Sequence, residues 1–496
     1  MMMNNIRFPS CQSDIGNFVS GAFQPFQSSL PVESPYTGDN VARVAISDAK
    51  DVARAVDAAS AAFPAWRALP VRERCKPLFG LRELLISRLE SCAELVAYES
   101  GKTPAEARAG IERGLEVIEF ALSWPNMESG GALDVSRGVS CEYRREPLGV
   151  TLGITPFNFP MMVPLWMLPI TLTAGNTFIL KPSEKVPLSA ALLAELMHEA
   201  GYPAGVFGVV HGGRETVEHL LDHPEISAVG FVGSTGAARA VYTRAAQHGK
   251  RALCLGGAKN HLIVMPDADP SLTVRAVVDS FTGCAGQRCM AGSVLVCVGA
   301  AAEAGRFIEP IVARAAELKM GTEMGALIDA AARERLARAL ARAEEEGARL
   351  LLDGRRLKPP AGFERGHWLG PSVIADAKIG MACATEELFG PVLTILQVRT
   401  LDEALALERT TPYGNATSVF TQSGAVARYV SERALSGMVG VNVGVPVPRD
   451  PFSFGGTRQS KFGHGDITGP QAVDFWTNLK KITTKWALQT DANWMS

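Results

Sequence analysis

GVTLGIT (149–155), NTFILK (176–181), GVFGVVHG (205–212) and ISAVGFVGS (226–234) are four short apolar runs, each closed by a turn residue or a charge. Between them lie helical patterns through the 160s, from Ala190 to His198, and near Thr216 to Leu221. Runs of this length that do not alternate polar with apolar suit strands covered on both faces, as in a parallel sheet. Strand, turn, helix and strand again is the rhythm of a doubly wound α/β fold. The most apolar stretch, Phe159 to Leu180, is long enough to suggest a membrane span, but Pro160, Pro164, Pro169 and Gly175 interrupt it. A buried helix followed by a strand is the better reading, and no membrane segment is expected.

Upstream, a capped helix is expected from Ser47, with Val52, Val56, Ala59 and Phe63 on one face, and another from Leu78 to Val96. Downstream, a second α/β region begins near Asn260 with HLIVM, a helix from Pro270 to Phe281, the helical AARERLARALARAEEEG and the strand RLLLDG. Two α/β halves imply a cleft between them. VSCEYRREPLG near Val139 and the stretch from Gln471 to Trp486 read as strands with exposed positions, suited to edge pairing or a subunit contact.

The 496 residues carry 49 Lys and Arg against 51 Asp and Glu, a net charge of -2, and 47% are hydrophobic. That balance excludes a phosphate-binding polycation and a disordered acidic tail, so no nucleic-acid partner is expected. Nine cysteines, from Cys11 to Cys383, form no CxxC pair, which suits a reducing compartment better than a disulfide framework. The start, MMMNNIRFPSCQSD, lacks the form of a secretory or transit segment, and a cytoplasmic location is expected. His219 and His223 have helical zinc-ligand spacing, but Pro224 follows and no third ligand is apparent, so no metal is expected. AEEEGAR near Glu344 reads as a solvated helix end.

The candidate nucleophile is Cys289 in TGCAGQRCMAGS, where Arg288 favours a thiolate and Gly283, Gly286 and Gly292 let the backbone approach a substrate. TPFNFP puts Asn158 in a turn directly after a strand, where its amide can donate to an oxyanion. LKPSEK offers the Lys181 ammonium and the Glu184 carboxylate at the strand end where α/β folds bind ligands. FVGSTG places Ser234 and free backbone N–H groups at a helix start, suited to phosphate, and EELFGPV adds Glu387 and Phe389 at a turn. Each motif alone also fits an ordinary turn, surface loop or buried thiol. Cys284, five residues before Cys289, is read as a buried thiol, with a disulfide to Cys289 under oxidation as the alternative.

In this order and over nearly the whole chain, the motifs resemble the NAD(P)-dependent aldehyde dehydrogenase superfamily. NFPMMVPLWMLP, LKPSEKVPLS, GAKNH and GQRCMA resemble its CoA-acylating methylmalonate-semialdehyde (malonate-semialdehyde) dehydrogenase branch. The resemblance implies a Rossmann-type cofactor domain (1–128 and 148–258), an α/β catalytic domain (259–470) and a small β oligomerisation element (129–147 and 471–496), assembled as a homodimer or homotetramer. It implies Cys289 as nucleophile, Asn158 as oxyanion donor, and Thr155, Phe157, Lys181, Glu184, Lys185, Ser234, Glu387 and Phe389 lining the NAD site. Arg288 and Arg113, in IERGLEV, occupy positions the branch uses for a substrate carboxylate, which a planar guanidinium suits. Arg113 equally reads as a helix-surface charge, and Arg288 as acting on the thiolate alone.

Hydrolytic members carry a Glu before Leu-Gly-Gly; here, in RALCLGGAKN, the position is Cys254. Without a base for water, transfer of the Cys289 thioester to the CoA thiol is the implied outcome, with CO2 lost from a malonic substrate to give acetyl-CoA or propionyl-CoA. The alternative is a hydrolytic NAD(P)-dependent enzyme making a free acid with another carboxylate as base. The Glu184 charge favours NAD over NADP, with Lys185 beside it weakening the argument. VPVPRDPFSFGGTRQSKFGHGD departs from the branch and leaves the acyl group open.

Overall fold

The computed structural model describes residues 14–127, 130–303 and 305–486. Cys11 and the start of the chain lie outside the described residues, as does the end of the 471–496 segment. The fold is mixed α/β. Its first large sheet has eight strands, of which five parallel ones stand in the order Arg251–Leu255, Ile226–Val232, Val150–Ile154, Thr177–Lys181 and Phe207–Val209. The chain starts in the middle at Val150–Ile154, winds outward one way, then returns to fill the other side. That reversal opens a crevice at the carboxyl ends of the two strands flanking it. All five residues of Val150–Ile154 and of Thr177–Lys181 are buried, which is why these runs lack alternation. At Gly153 a Cβ would stand 2.3 Å from the Phe178 ring, so the close packing of these two strands requires glycine there.

A second sheet of seven strands runs Arg349–Leu352, Ser372–Ala375, Val392–Val398, Gly292–Val298, Asn260–Val264, Ala416–Phe420 and Met438–Val441, all parallel except the first. The short strand Lys461–Phe462 returns from this half to pair antiparallel with Arg251–Leu255, lacing the two sheets together. A separate antiparallel sheet joins Gly130–Ser136, Val139–Pro147 and Thr477–Lys485. Its free faces leave Leu133, Val135 and Leu479 exposed.

Three expectations need correction. The helix expected from Ser47 begins at Ala49 with Asp48 as its cap, because Asp48 accepts the N–H groups of Lys50 and Asp51 while the Ser47 hydroxyl turns to Asn17; Trp66, rather than Phe63, is the large buried side chain near its end. The stretch from Leu78 to Val96 is two helices, Val71–Ser87 and Leu89–Ser100, broken at Arg88, which pairs with Glu199. Gln471 to Phe475 belongs to a helix, Gly469–Phe475, whose Ala472, Val473 and Phe475 are buried, and the strand starts only at Thr477.

Candidate active site

Cys289 follows a left-handed turn: Cys284 and Ala285 have φ of 55° and 51°, and the loop carries the chain from the helix Pro270–Thr282 to the strand Gly292–Val298. The Cys289 carbonyl accepts from the Asn260 amide at 2.7 Å and the Asn415 amide at 2.9 Å, so the end of one sheet pins the nucleophile's backbone. The Ser280 hydroxyl accepts the Gly292 N–H and donates to the Gly444 carbonyl, fixing the far end of the loop. Gln287 accepts from the Ile328 N–H. Asn260 entered the sequence argument only as the start of a strand and within GAKNH, and Asn415 carried no signal, since an amide near a strand start is an ordinary residue.

Two cavities meet at this thiol. The larger, about 1230 Å3, fills the crevice at the strand reversal and touches Cys289, Asn158, Lys181, Ser234 and Glu387. The smaller, about 210 Å3, lies on the other side and is walled by Phe159, Trp166, Val445 and Phe454 together with Arg113, Arg288 and Asp450. Every site residue expected from the sequence lines one cavity or the other: Arg113 and Arg288 the smaller, Cys289 both, and the rest, Thr155 and Phe157 included, the crevice.

Asn158 is buried and its amide donates to the Gln287 carbonyl at 2.8 Å, which ties the turn after Val150–Ile154 to the nucleophile loop. Lys181 is buried, with Glu184 3.4 Å from its ammonium. Burial holds the Lys181 ammonium below its usual range, and Glu184 opposes that shift. Lys185 pairs with Asp329 at 2.5 Å and lies over the Phe157 ring, which meets Phe389 edge to face. Phe389 holds a φ of 54°. Ser234 precedes the helix Thr235–Gln247 without capping it, so the first N–H groups of that helix face the crevice unclaimed by the side chain. Gly257 admits the Glu387 carboxylate, which a Cβ would meet at 2.2 Å; Glu387 in turn accepts the Ala258 N–H at 2.8 Å.

Arg288 favours the Cys289 thiolate as expected, but burial opposes it more strongly. Cys289 opens on both cavities yet is surrounded by protein, and burial pushes its thiol up to about 12. The Glu387 carboxylate raises it further, against the backbone N–H of Cys289, Arg288 and the N–H of Met290. Arg288 therefore does not make the resting thiol a thiolate; desolvation outweighs it. Its guanidinium is anchored to the Asp279 and Ser280 carbonyls, at 2.6 and 3.0 Å. Cys284 remains a free, buried thiol, 2.9 Å from the Lys102 ammonium. Cys254 sits inside the strand Arg251–Leu255 in an apolar cluster and lines neither cavity. Among the described residues no group of three or more His, Cys, Asp or Glu could hold a metal ion.

A sequence profile described as the aldehyde dehydrogenase family matches residues 23–482. The chain belongs to that family. It is 42% identical over 479 residues to malonate-semialdehyde dehydrogenase 2 of Geobacillus kaustophilus (strain HTA426), covering 95% of this chain and 98% of that one. It is 41% identical to the acylating methylmalonate-semialdehyde/malonate-semialdehyde dehydrogenase of Rattus norvegicus mitochondria, covering 95% and 89%. Among solved structures, a Sinorhizobium meliloti 1021 protein assigned as a methylmalonate-semialdehyde dehydrogenase and complexed with NAD matches with a TM-score of 0.94 at 40% identity, over 96% of this chain and 99% of that one. As an aldehyde dehydrogenase, the chain is an enzyme, with a large crevice on one side of Cys289 and a small cavity on the other.

Proposed function

We propose that this aldehyde dehydrogenase oxidises a carboxylated semialdehyde with NAD and passes the acyl group from Cys289 to CoA. The observation that carries the reading is the place of Cys289 between the two cavities, together with a buried Cys254 where hydrolytic members have a Glu. The crevice fits a dinucleotide: a helix N-terminus free of a side-chain cap for phosphate, and Lys181 with Glu184 for ribose hydroxyls. Thr155, Phe157, Lys185, Ser234, Glu387 and Phe389 complete its lining in this reading, and the Glu184 charge opposes a 2′-phosphate. When bound, NAD supplies the hydride acceptor.

Cys289, once deprotonated, attacks the aldehyde carbon; the C–S bond forms and the carbonyl electrons move to oxygen. The Asn158 amide and the Cys289 N–H stabilise that oxyanion; among the described residues the Asn158 amide donates to the Gln287 carbonyl, which leaves a second N–H for the oxyanion. Loss of hydride leaves a thioester on Cys289. Arg288 and Arg113 hold the substrate carboxylate in the acyl pocket. With no carboxylate at position 254 to activate water, the CoA thiol is the acyl acceptor; a malonic acyl group loses CO2 first and leaves as acetyl-CoA or propionyl-CoA.

The same reading assigns 1–128 and 148–258 to cofactor binding, 259–470 to catalysis, and 129–147 with 471–496 to assembly as a homodimer or homotetramer, supported by the exposed Leu133 and Leu479 on the three-stranded sheet. A cytoplasmic location is proposed from the cysteines, all free among the described residues. No described helix is long and apolar enough to cross a membrane.

The test is NADH formation from malonate semialdehyde and methylmalonate semialdehyde, with and without CoA, with products identified by mass. Sustained turnover only with CoA, giving acetyl-CoA or propionyl-CoA, is expected. A free acid formed without CoA would establish the hydrolytic alternative instead.

A further inference from the structure

Three carboxyl groups line the acyl pocket, and they are not equivalent. Glu106 is spent on the backbone: its oxygens accept the Thr103 N–H at 3.0 Å and the Cys284 N–H at 2.5 Å. Glu116 is spent on two guanidiniums, Arg113 at 2.5 Å and Arg449 at 2.6 Å. Asp450 has no hydrogen-bond or ion-pair partner among the described residues, and its Oδ1 is fully buried. A buried acceptor left without a donor is costly in an empty site and becomes an asset when a ligand brings the donor. Asp450 sits on the segment VPVPRDPFSF, where the sequence departs from the acylating branch.

Charge points the same way. Arg113 and Arg288 face Glu106, Glu116 and Asp450, so the lining holds one more carboxylate than guanidinium, and Arg449 pairs with Glu116 from outside that lining. Arg113 already has a carboxylate partner, whereas the Arg288 Nε is buried without an acceptor. Two residues that line one small cavity, Arg288 and Asp450, thus each keep a polar atom without a partner, the one a donor and the other an acceptor. Burial and Glu116 raise the Asp450 carboxyl above its usual range, and Arg113 opposes them. Arg449 lies one residue away and is turned to Glu116, leaving Asp450 without a cation of its own.

We propose that Asp450 is a specificity residue of the acyl pocket: it accepts a hydrogen bond from a hydroxyl on the carbon next to the aldehyde, so that hydroxylated aldehydes are taken in preference to methyl-branched ones of the same shape. The proposal rests on the reading that Cys289 forms the thioester in this pocket, and it extends that reading from the carboxylate to the substituent beside it. The carboxylate goes to Arg288, the hydroxyl to Asp450, and the carbon chain to the Phe159, Trp166 and Phe454 side.

The experiment compares two pairs that differ only by hydroxyl for methyl: 2-hydroxymalonate semialdehyde against methylmalonate semialdehyde, and 2-hydroxypropanal against 2-methylpropanal. Each is read as the first-turnover NADH burst with saturating NAD and no CoA, so the acyl acceptor does not enter. In the wild-type enzyme the hydroxyl member should acylate faster by about tenfold or more in each pair. Asp450→Ala should collapse that ratio by about the same factor, and Asp450→Asn, which keeps an acceptor oxygen, should retain part of it. A folding defect slows both members of a pair and leaves the ratio alone. A wild-type ratio at or below one, or a ratio unchanged in Asp450→Ala, overturns the proposal. Loss of the CoA requirement in steady state would instead overturn the acylating function while leaving this ratio intact.

Discussion

The two cavities that meet at Cys289 are made of different material. The crevice is walled by the ends of parallel strands and the start of a helix, so its position follows from the order in which the strands were laid down. The acyl pocket is walled by side chains from five segments: the helix Pro104–Leu122, the turn and helix after Asn158, the nucleophile loop, the arm that carries Asp450, and Thr468. Topology therefore locates a dinucleotide site without deciding the chemistry beside it, and single residues decide the acyl group. Replacing Cys289 by Ala should separate the two cavities most sharply. NADH formation should fall by at least about 10⁴-fold, while NAD affinity by calorimetry changes less than about threefold. A comparable loss of NAD binding would mean that the thiol organises the crevice as well as the chemistry.

Asn158 comes next, because its amide joins the two sides through the Gln287 carbonyl. Asn158→Ala should lower kcat by about 10² to 10³-fold with little change in substrate KM, the signature of a donor used in the transition state. A rise in KM alone would make Asn158 a structural tie between strand end and loop. The arginines should act on the acyl side only. Arg288→Gln should raise KM for a carboxylated semialdehyde by about 10 to 100-fold and that for 2-methylpropanal by less than about threefold. Arg113→Gln should have the smaller effect of the two, since Glu116 already holds that guanidinium.

The same contrast explains what could be read from the chain. GVTLGIT, NTFILK and ISAVGFVGS announced buried parallel strands because burial on both faces removes alternation, and the motifs at their ends fell into the crevice together. The break at Arg88 left no mark, since Leu85 and Cys92 keep helical spacing across it. The Asn260 and Asn415 grips on the Cys289 carbonyl were invisible for another reason: each is an amide acting across more than 25 residues of sequence, and no local pattern encodes it. Arg288 does favour the thiolate, as its place in the sequence implies, but the larger opposing effect, desolvation, is a property of the folded surroundings that no local pattern encodes. Asp450 was visible only as part of a departure from a familiar motif, and its lack of a partner is a fact of three dimensions.

The smallest effect concerns how each cavity governs that thiol. Glu387, on the crevice side, is pushed up to about 6 by burial, against the Ala258 N–H and the charges of Lys259 and Arg335. Above that pH it is ionised, and its charge raises the Cys289 thiol. Neutralising it by Glu387→Gln removes a charge that favours the protonated thiol, so the thiol's pKa should fall and alkylation by iodoacetamide in the absence of NAD should speed up at pH values below the thiol midpoint. The difference should vanish as the pH drops below about 6, where the wild-type carboxyl is itself neutral. Glu106, on the acyl side, is held by two backbone N–H groups and is not among the main causes of the Cys289 shift, so Glu106→Gln should leave the alkylation profile nearly in place. Equal shifts from the two variants would mean that both cavities set the nucleophile's charge. A shift from Glu387→Gln alone would show that the cofactor side controls when the thiol becomes reactive, while the acyl side controls only what it reacts with.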